Sequence, residues 1–215
     1  MQKKTYAVLG LGRYGTAVAE ELVKNGADVI AVDKNEQIVQ DSSVYLPICK
    51  CADITDPEVI SELGISNADV VIVAMASSLE GSILAITLCK EAGVKTVIAK
   101  CANETHRKIL KRVGADTVVF PENESGTRLA KNLLTSGFTD ILTLSDDLSL
   151  VELAARDEWV GKSLKELNLR KKYTVNVVAF RKSGKITAPV NPEELLDKDT
   201  EIIAIVNTAK LSKLK

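Results

Sequence analysis

The sequence predicts an α/β protein in which a doubly wound parallel sheet precedes a smaller α+β domain. Two observations predict the sheet. Short apolar strands alternate with amphipathic helices from residue 5 to about residue 120, and a glycine follows most of the helical segments, as at helix C-caps. Beyond Gly137 the pattern changes to closely spaced strands with one short helix, which is typical of a separate α+β module.

The parallel sheet is predicted from six apolar segments, each short and continuous enough to be a strand covered on both faces. The predicted strands are Thr5–Gly10, Asp28–Val32, Pro47–Ala52, Asp69–Ala74, Thr96–Lys100 and Thr117–Phe120. The helices predicted between them are Tyr14–Lys24, Glu36–Ser43, Pro57–Leu63, Leu79–Glu91 and Glu104–Val113. Right-handed crossovers through these helices make the sheet doubly wound.

The rest of the chain is expected to break this pattern at Pro121–Gly126 and to continue in an amphipathic helix over about Ser125–Ser136. The apolar stripe of that helix fits either its own sheet or a partner subunit. Further along we predict strands at Leu150–Arg156, Val175–Arg181, Lys185–Ala188 and Glu201–Val206, a helix at Leu164–Leu167 and a helical turn at Pro192–Leu196. The predicted domains are 1–122, a crossover helix and linker at 123–140, and 141–215.

Composition excludes several classes of protein. The formal net charge is −1, which gives no electrostatic reason to expect binding to nucleic acid or to an anionic membrane. No apolar run approaches the roughly 20 residues of a membrane span, and the first residues lead into a strand instead of a signal peptide. We therefore expect a cytoplasmic protein. Its four cysteines lie in apolar segments, as reduced core thiols do in that compartment.

A glycine-rich turn follows the first strand with the spacing G-x-G-x-x-G. Gly10 permits the tight turn, Gly12 lets the backbone approach a pyrophosphate, and Gly15 lets the helix pack closely on the strand. The N–H groups and the positive dipole end of the new helix then face the phosphates. Strand, turn and helix together predict a Rossmann-type nucleotide site.

Other candidate binding residues stand where strands end, because ligands of this fold lie at the carboxyl ends of the strands. Asp33 follows Gly15 by eighteen residues, where an acid can bind ribose hydroxyls. Asp53 is expected beside the adenine, with a helix N-cap as the alternative. Lys100 is expected to end a strand near the middle of the sheet, where a cation meets phosphate, with a surface salt bridge as the alternative. The remaining candidates at these ends are Lys34, Ala52 and Ala74, the last of which begins a strand end that runs over Ala74–Ser78.

Two further candidates, Arg13 and Tyr14, lie within the glycine turn itself. A cation at a helix N-terminus is electrostatically unfavourable unless a nearby anion balances its charge. An extra phosphate, from the ligand of the same subunit or of a neighbour, would be that anion for Arg13. The alternative is a solvated arginine.

Catalytic groups expected of a dehydrogenase are missing from the sequence. The single histidine, His106, lies in a polar helical segment, and no Tyr-x-x-x-Lys pair, Gly-x-Ser-x-Gly turn or Gly-Lys-Ser/Thr phosphate loop occurs. The second domain is also small for a substrate domain. These absences favour a protein that senses a nucleotide over an enzyme that transforms one.

Motifs spread along the whole chain resemble those of the RCK family, also described as TrkA-N plus TrkA-C, and particularly the cytosolic regulatory subunits of Ktr/Trk potassium transporters. The resemblance is carried by Ala7–Gly15, Ala31–Asp33, Ala52–Thr55, Val70–Ala74, Gly114–Asp116, Phe120–Glu122, Leu144–Asp146, Leu150–Leu153 and Gly161–Arg170. It implies a Rossmann-type TrkA-N domain followed by a small α+β RCK_C (TrkA-C) domain.

The resemblance also implies a function and an assembly. Homodimers would form an octameric ring beneath a membrane potassium-transporter subunit, so that the protein is cytoplasmic and peripheral to the inner face of the membrane. ATP or ADP, with NAD or NADH as the alternative, would exchange in the Rossmann domain and change the ring. Arg13 would reach a neighbour's γ-phosphate, and Glu122 would help bind Mg or Ca between paired subunits.

In the second domain the resemblance implies a cyclic di-AMP site, with a plain dimerisation lobe as the alternative. The corresponding residues are Leu164, Asn168, Arg170, Val175 and Asn176, of which the polar Asn176 departs from the usual apolar pattern. Two rival functions stay open at this point. They are an NAD(P)-dependent oxidoreductase and an RCK regulator of another cation transporter.

Overall fold

The computed structural model describes residues 4–134, 139–145 and 147–214. The chain forms two compact units that divide between Pro121 and Glu122. No helix in the described ranges is long and apolar enough to cross a membrane.

The first unit is a six-stranded parallel sheet with helices between the strands. Its strands are β1 Thr5–Leu9, β2 Asp28–Asp33, β3 Ile48–Cys51, β4 Val70–Val73, β5 Thr96–Lys100 and β6 Thr117–Val119. Its helices are α1 Arg13–Lys24, α2 Glu36–Ser42, α3 Pro57–Glu62, α4 Leu79–Glu91 and α5 Glu104–Arg112, with a 3₁₀ turn at Ile65–Asn67. The predicted fold class is confirmed, and the element bounds agree within one residue.

The strand order β3-β2-β1-β4-β5-β6 reverses its direction next to β1. This reversal is the topological switch point, where open parallel sheets bind ligands. Both faces of the sheet are buried, as successive residues of β1 show. Ala7 and Leu9 belong to one core cluster, and Val8 between them belongs to the cluster on the opposite face. This two-sided burial explains why the strands are continuously apolar.

The second unit is built on an antiparallel sheet in the order β10-β9-β11-β8-β7. Its strands are β7 Asp140–Thr143, β8 Leu148–Ala154, β9 Asn176–Lys182, β10 Lys185–Thr187 and β11 Glu201–Asn207. Its helices are α7 Leu164–Leu167 and α8 Leu169–Tyr173, with 3₁₀ segments at Asp157–Trp159 and Thr208–Leu214, and the longer helix α6 spans Pro121–Leu134. A core cluster that includes Trp159 and Phe180 covers the sheet.

Several expectations for this part of the chain are wrong. Helix α6 begins at Pro121, so no break occurs at 121–126. Proline fits the first helical position, and the acidic side chains of Glu122 and Glu124 in the first turn are favourable at a helix N-terminus. The predicted end of this helix at Ser136 lies outside the described residues.

The predicted helical turn at Pro192–Leu196 is also wrong, because Leu195 forms an isolated antiparallel bridge with Ser163. Strand β7 and helix α8 were not expected from the sequence. Both are short, and α8 is rich in basic residues without apolar periodicity, so the pattern of the sequence does not reveal them.

Candidate functional site

A cavity of about 460 Å³ opens at the carboxyl ends of β1, β2, β3 and β4, and we call it the switch-point cavity. Its lining residues are Gly10, Gly12, Val32, Asp33, Lys34, Ile38, Ala52, Asp53, Ile54, Thr55, Ala74, Met75, Ser77, Ser78, Glu80, Gly81 and Leu84. Seven of the residues predicted from the sequence are therefore brought together here. They are Gly10, Gly12, Asp33, Lys34, Ala52, Asp53 and Ala74.

The glycine turn has the geometry of a phosphate cradle. A Cβ atom at Gly15 would lie 1.9 Å from the carbonyl oxygen of Gly10, so only glycine allows this close approach of helix to strand. Gly10 has a φ of +97° and lies against Met75, where a Cβ would come within 2.8 Å of Cγ. Nothing lies within 4 Å of a Cβ at Gly12, which leaves that backbone open to the cavity. The turn thus offers free space where phosphates are expected.

Asp33 is held in place by the backbone around it. Its Oδ2 accepts a hydrogen bond from the Leu11 N–H at 2.7 Å, and its Oδ1 accepts one from the Asn35 N–H at 2.8 Å. A carboxylate has about four acceptor positions, so lone pairs remain for further donors. The glycine turn and the acid at the end of β2 are therefore fixed to each other before any ligand binds.

Asp53 forms a local turn with Thr55. Its Oδ1 accepts hydrogen bonds from the Thr55 N–H at 3.0 Å and the Thr55 hydroxyl at 2.7 Å, and these bonds lower the pKa of the Asp53 carboxyl. The N-cap of α3 is Asp56, whose side chain accepts from the Glu58 N–H. Asp53 is therefore not the N-cap of this helix, which was the alternative role predicted for it from the sequence.

Four predicted residues lie outside the lining of the switch-point cavity: Arg13, Tyr14, Gly15 and Lys100. Arg13 is the first residue of α1, is exposed, and lines a shallower neighbouring cavity of about 430 Å³ together with Asp41 and Tyr45.

Lys100 ends β5, as expected, and β5 lies between β4 and the edge strand β6. Its Nζ lies 5.5 Å from the centre of the Tyr14 ring, within the range of a cation–π contact. This contact places the Lys100 ammonium beside a residue of the glycine turn.

The N-terminal turn of α4 forms a wall of the cavity. The segment before it, Ala74–Ser78, was expected at a strand end from the sequence, whereas Glu80, Gly81 and Leu84 of the helix itself were not. Ser78 caps this helix, accepting a hydrogen bond from the Gly81 N–H at 3.0 Å, and Glu80 and Leu84 line the cavity one helical turn apart. The available signal was the Ser-Ser sequence directly before a predicted helix, at the carboxyl end of a predicted strand.

In the second unit, all five residues assigned to the cyclic di-AMP lobe line one cavity of about 380 Å³, which we call the α7–α8 cavity. Its lining residues are Leu164, Lys165, Asn168, Leu169, Arg170, Val175, Asn176, Val177 and Pro192. Asn168 ends α7 in the left-handed conformation, with φ 50° and ψ 43°, and so directs the chain into α8. A capping box between Ser163 and Glu166 begins α7.

Metal ligands are sparse. Glu122 is exposed in the first turn of α6, and the described residues contain no group of three or more His, Cys, Asp or Glu side chains able to hold a metal ion.

The cysteines differ in burial. Cys89 is buried, which raises the pKa of its thiol to about 12. The expectation of core thiols fails for Cys51, which is exposed because β3 is an edge strand.

The sheet order, the glycine turn at the switch point and the acid that ends β2 define a Rossmann-type nucleotide-binding protein. Residues 6–121 match the family model of the TrkA-N domain, and residues 148–215 match that of the TrkA-C domain. The chain belongs to this TrkA-N/TrkA-C family, so the resemblance found in the sequence is confirmed.

Curated relatives match along nearly the whole chain. Ktr system potassium uptake protein C of Bacillus subtilis (strain 168) is 34% identical over 213 residues, which cover 99% of this chain and 96% of the relative. Ktr system potassium uptake protein A of Vibrio alginolyticus is 33% identical over 213 residues, which cover 99% and 97%.

Solved structures share the fold at low identity. The GsuK channel matches with a TM-score of 0.72 at 17% identity, over 99% of this chain and 39% of the channel chain. The GsuK channel bound to NAD matches with a TM-score of 0.68 at 18% identity, over 99% and 39%. The chain thus spans well under half of these channel chains.

Proposed function

We propose that the protein is the regulatory subunit of a potassium uptake system, which binds an adenine nucleotide in the switch-point cavity and passes the bound state on to a membrane partner. The observation that carries this proposal is the full-length similarity to Ktr proteins A and C, together with a cavity built on a glycine turn and a fixed acid. Regulation fits the site better than catalysis does, since no histidine or tyrosine is among its lining residues.

In this proposal the ligand is ATP or ADP, with NAD or NADH as the alternative that the NAD-bound GsuK channel keeps open. The N–H groups at the start of α1 bind the phosphates, because Gly12 leaves room for them. The two oxygens of Asp33 accept from the ribose hydroxyls, while Ala52 and Asp53 flank the base.

Arg13 acts on the nucleotide of a neighbouring subunit. Its place outside the lining of its own switch-point cavity supports this role, as does its exposure at the positive end of α1, where an anion is needed to balance it. A triphosphate extends further than a diphosphate, so Arg13 gives the assembly a means to distinguish the two ligands. A ligand shifts a conformational equilibrium only through such a difference in affinity.

Glu122 takes part in binding Mg or Ca between paired subunits. A single carboxylate cannot hold the ion, and no ligand cluster forms among the described residues of one chain, so the other ligands come from a second chain or from the nucleotide. The assembly is a homodimer that builds an octameric ring. It docks at the cytoplasmic face of the membrane on a Ktr/Trk-type potassium-transporter subunit.

The α7–α8 cavity binds cyclic di-AMP between two second domains. Arg170 and Lys165 supply cations for the phosphates, and Leu164 and Val175 contact the bases. Lys165 also forms an ion pair with Glu193 at 3.0 Å, so Arg170 is the main phosphate ligand. Dimerisation without a ligand is the alternative, and a protein that dimerises but shows no heat of binding with cyclic di-AMP would favour it.

The test is to identify the nucleotide that co-purifies with the protein and to titrate the nucleotide-free protein with ATP, ADP, NAD and NADH by calorimetry. Arg13→Ala should reduce the preference for ATP over ADP more than it reduces ADP binding. Equal losses for both ligands would contradict the role across subunits. Turnover of NADH with small carbonyl substrates would support an oxidoreductase, and a neighbouring gene for a different transporter would redirect the partner.

A further inference from the structure

One carboxylate in the switch-point cavity has no part in the proposed function. Glu80 lies in the first turn of α4, is exposed, and lines the cavity together with Leu84, one helical turn further on. Asp33 and Asp53 accept hydrogen bonds from backbone N–H groups. Among the described residues, the Glu80 carboxylate accepts no hydrogen bond and forms no ion pair.

The charge of the cavity is unusual for a site that receives phosphates. Three carboxylates line it, those of Asp33, Asp53 and Glu80, against the single ammonium of Lys34, which gives a formal charge of 1 − 3 = −2. The favourable partners for phosphate are the backbone N–H groups of the glycine turn, which carry only partial charges. Each negative charge added to the ligand therefore increases its repulsion from the cavity.

Asp33 holds the glycine turn in place and, in the proposed function, binds ribose. The charged carboxylate of Asp53 is stabilised by the hydrogen bonds that it accepts from Thr55. Glu80 has no such compensation. From these observations we infer that Glu80 is a specificity-determining residue, which weakens binding in proportion to the negative charge of the ligand. This inference rests on the proposed nucleotide-binding function of the same cavity.

If Glu80 acts in this way, the affinity of the cavity differs among adenine nucleotides according to their charge. Free ATP carries the most charge and is disfavoured, whereas AMP or a dinucleotide with a single pyrophosphate is disfavoured least. A divalent cation bound to the phosphates cancels part of the charge and restores the affinity for the triphosphate. Glu80 thus makes ATP binding depend on the divalent cation without having to be one of its ligands.

Glu80 also has a purely structural explanation, since an acid in the first turn stabilises a helix. The two roles make different predictions. A structural role changes thermal stability and affects all ligands alike, whereas the inferred role changes the dependence of affinity on ligand charge.

The experiment titrates the Glu80→Gln protein and the wild type with AMP, ADP and ATP in the presence of a chelator, and with ATP in excess Mg²⁺. Without the cation, we expect Glu80→Gln to tighten ATP binding about fivefold to tenfold, ADP binding less and AMP binding least. The gain for ATP should shrink in Mg²⁺ and at high ionic strength, where charges are screened. Glu80→Lys should enlarge the same gradient.

Glu91→Gln is the matched control, because Glu91 is exposed at the other end of the same helix. Eleven residues of helix separate the two positions by roughly 16 Å, beyond the Debye length at physiological salt, so this variant should show no gradient. Equal factors for all three nucleotides, or no change in either Glu80 variant, would overturn the inference while leaving nucleotide binding intact. A wild type that binds none of them would refute the proposed function and this inference together.

Discussion

The two sheets of this protein bury their residues in different ways, and the difference governs where each unit can form a site. In the parallel sheet, β1 sends alternate residues into core clusters on both faces. In the antiparallel sheet, Ile202, Ala204 and Val206 of β11 are buried while Ile203 and Ile205 between them are only partly buried. A sheet covered on both faces leaves only its edges and strand ends for ligands, and the switch-point cavity lies at such ends.

The second unit places its cavity beside its helices instead. The α7–α8 cavity depends on a chain reversal at the left-handed Asn168 between two short helices. No glycine lines this cavity, whereas Gly10, Gly12 and Gly81 line the switch-point cavity. The two sites should therefore respond differently to substitution.

Gly15→Ala should have the largest effect. The new Cβ would lie 1.9 Å from the Gly10 carbonyl oxygen, so backbone has to move, and we expect a loss of about 3 kcal/mol or more in the free energy of unfolding. Gly12→Ala is the control, because its Cβ meets nothing within 4 Å. It should cost about 1 kcal/mol or less and still weaken nucleotide binding, by filling the phosphate space. Denaturant unfolding and calorimetry measure both quantities, and similar stabilities of the two variants would contradict the packing role of Gly15.

Asp33→Asn should weaken every ribonucleotide about 10- to 100-fold. The amide has a single, uncharged acceptor oxygen, so either the Leu11 N–H or the Asn35 N–H loses its acceptor, the other keeps only a neutral one, and the ribose loses an acceptor as well. Asp41→Asn is the control, since Asp41 lies outside the switch-point cavity. Retained affinity for ADP in calorimetric titration of Asp33→Asn would remove this residue from the site.

Asn168→Ala should destabilise the second unit by about 1 kcal/mol, because alanine tolerates the left-handed conformation poorly. Asn168→Gly should be neutral, since glycine adopts this conformation without strain. Both variants remove the same side chain from the α7–α8 cavity, so any loss of cyclic di-AMP binding should be equal. Unfolding followed by the fluorescence of the single tryptophan, Trp159, reports on this unit alone. Equal stability of the two variants would exclude backbone strain at Asn168.

The smallest expected effect is on the pH dependence of stability, which should differ in direction between the two units. In the first unit, the hydrogen bond from the Lys90 ammonium at 2.6 Å lowers the pKa of Asp116, so its contribution to stability is present above about pH 4 and lost as the pH falls through the folded pKa. Nearly half of that side chain is exposed (43%), so the contribution stays below about 1 kcal/mol.

In the second unit, burial raises the pKa of Glu152, which is ion-paired with Arg181. The contribution of Glu152 to stability therefore depends on pH in the opposite direction to that of Asp116. It is fully present below the ordinary glutamate pKa and is lost as the pH rises through the higher pKa of the folded state. Asp116→Asn and Glu152→Gln should therefore flatten the pH dependence of stability in opposite directions. Hydrogen exchange of β5 amides and Trp159 fluorescence follow the two units separately, and changes of the same sign would contradict this assignment.

The first unit was largely predictable because its signals are local. An apolar strand covered on both faces, a glycine turn and a C-cap glycine each depend on a few neighbouring residues, and their alternation implies the parallel sheet. Asp33 was identifiable for the same reason, since it ends a strand at a set distance from Gly15. In the second unit, β7 and α8 carry no periodic signal of their own and form only through packing onto other strands and helices.

Strand alternation and glycine spacing leave few topologies, so the sequence alone predicted the fold class, the family and seven of the residues that line the switch-point cavity. Only the tertiary structure decided which side chains share a cavity. It placed Arg13 outside the switch-point cavity and Glu80 inside it, and brought Lys100 next to Tyr14. The reason is physical: strand order and the direction in which a helix presents its side chains arise from long-range packing, which local sequence patterns do not record.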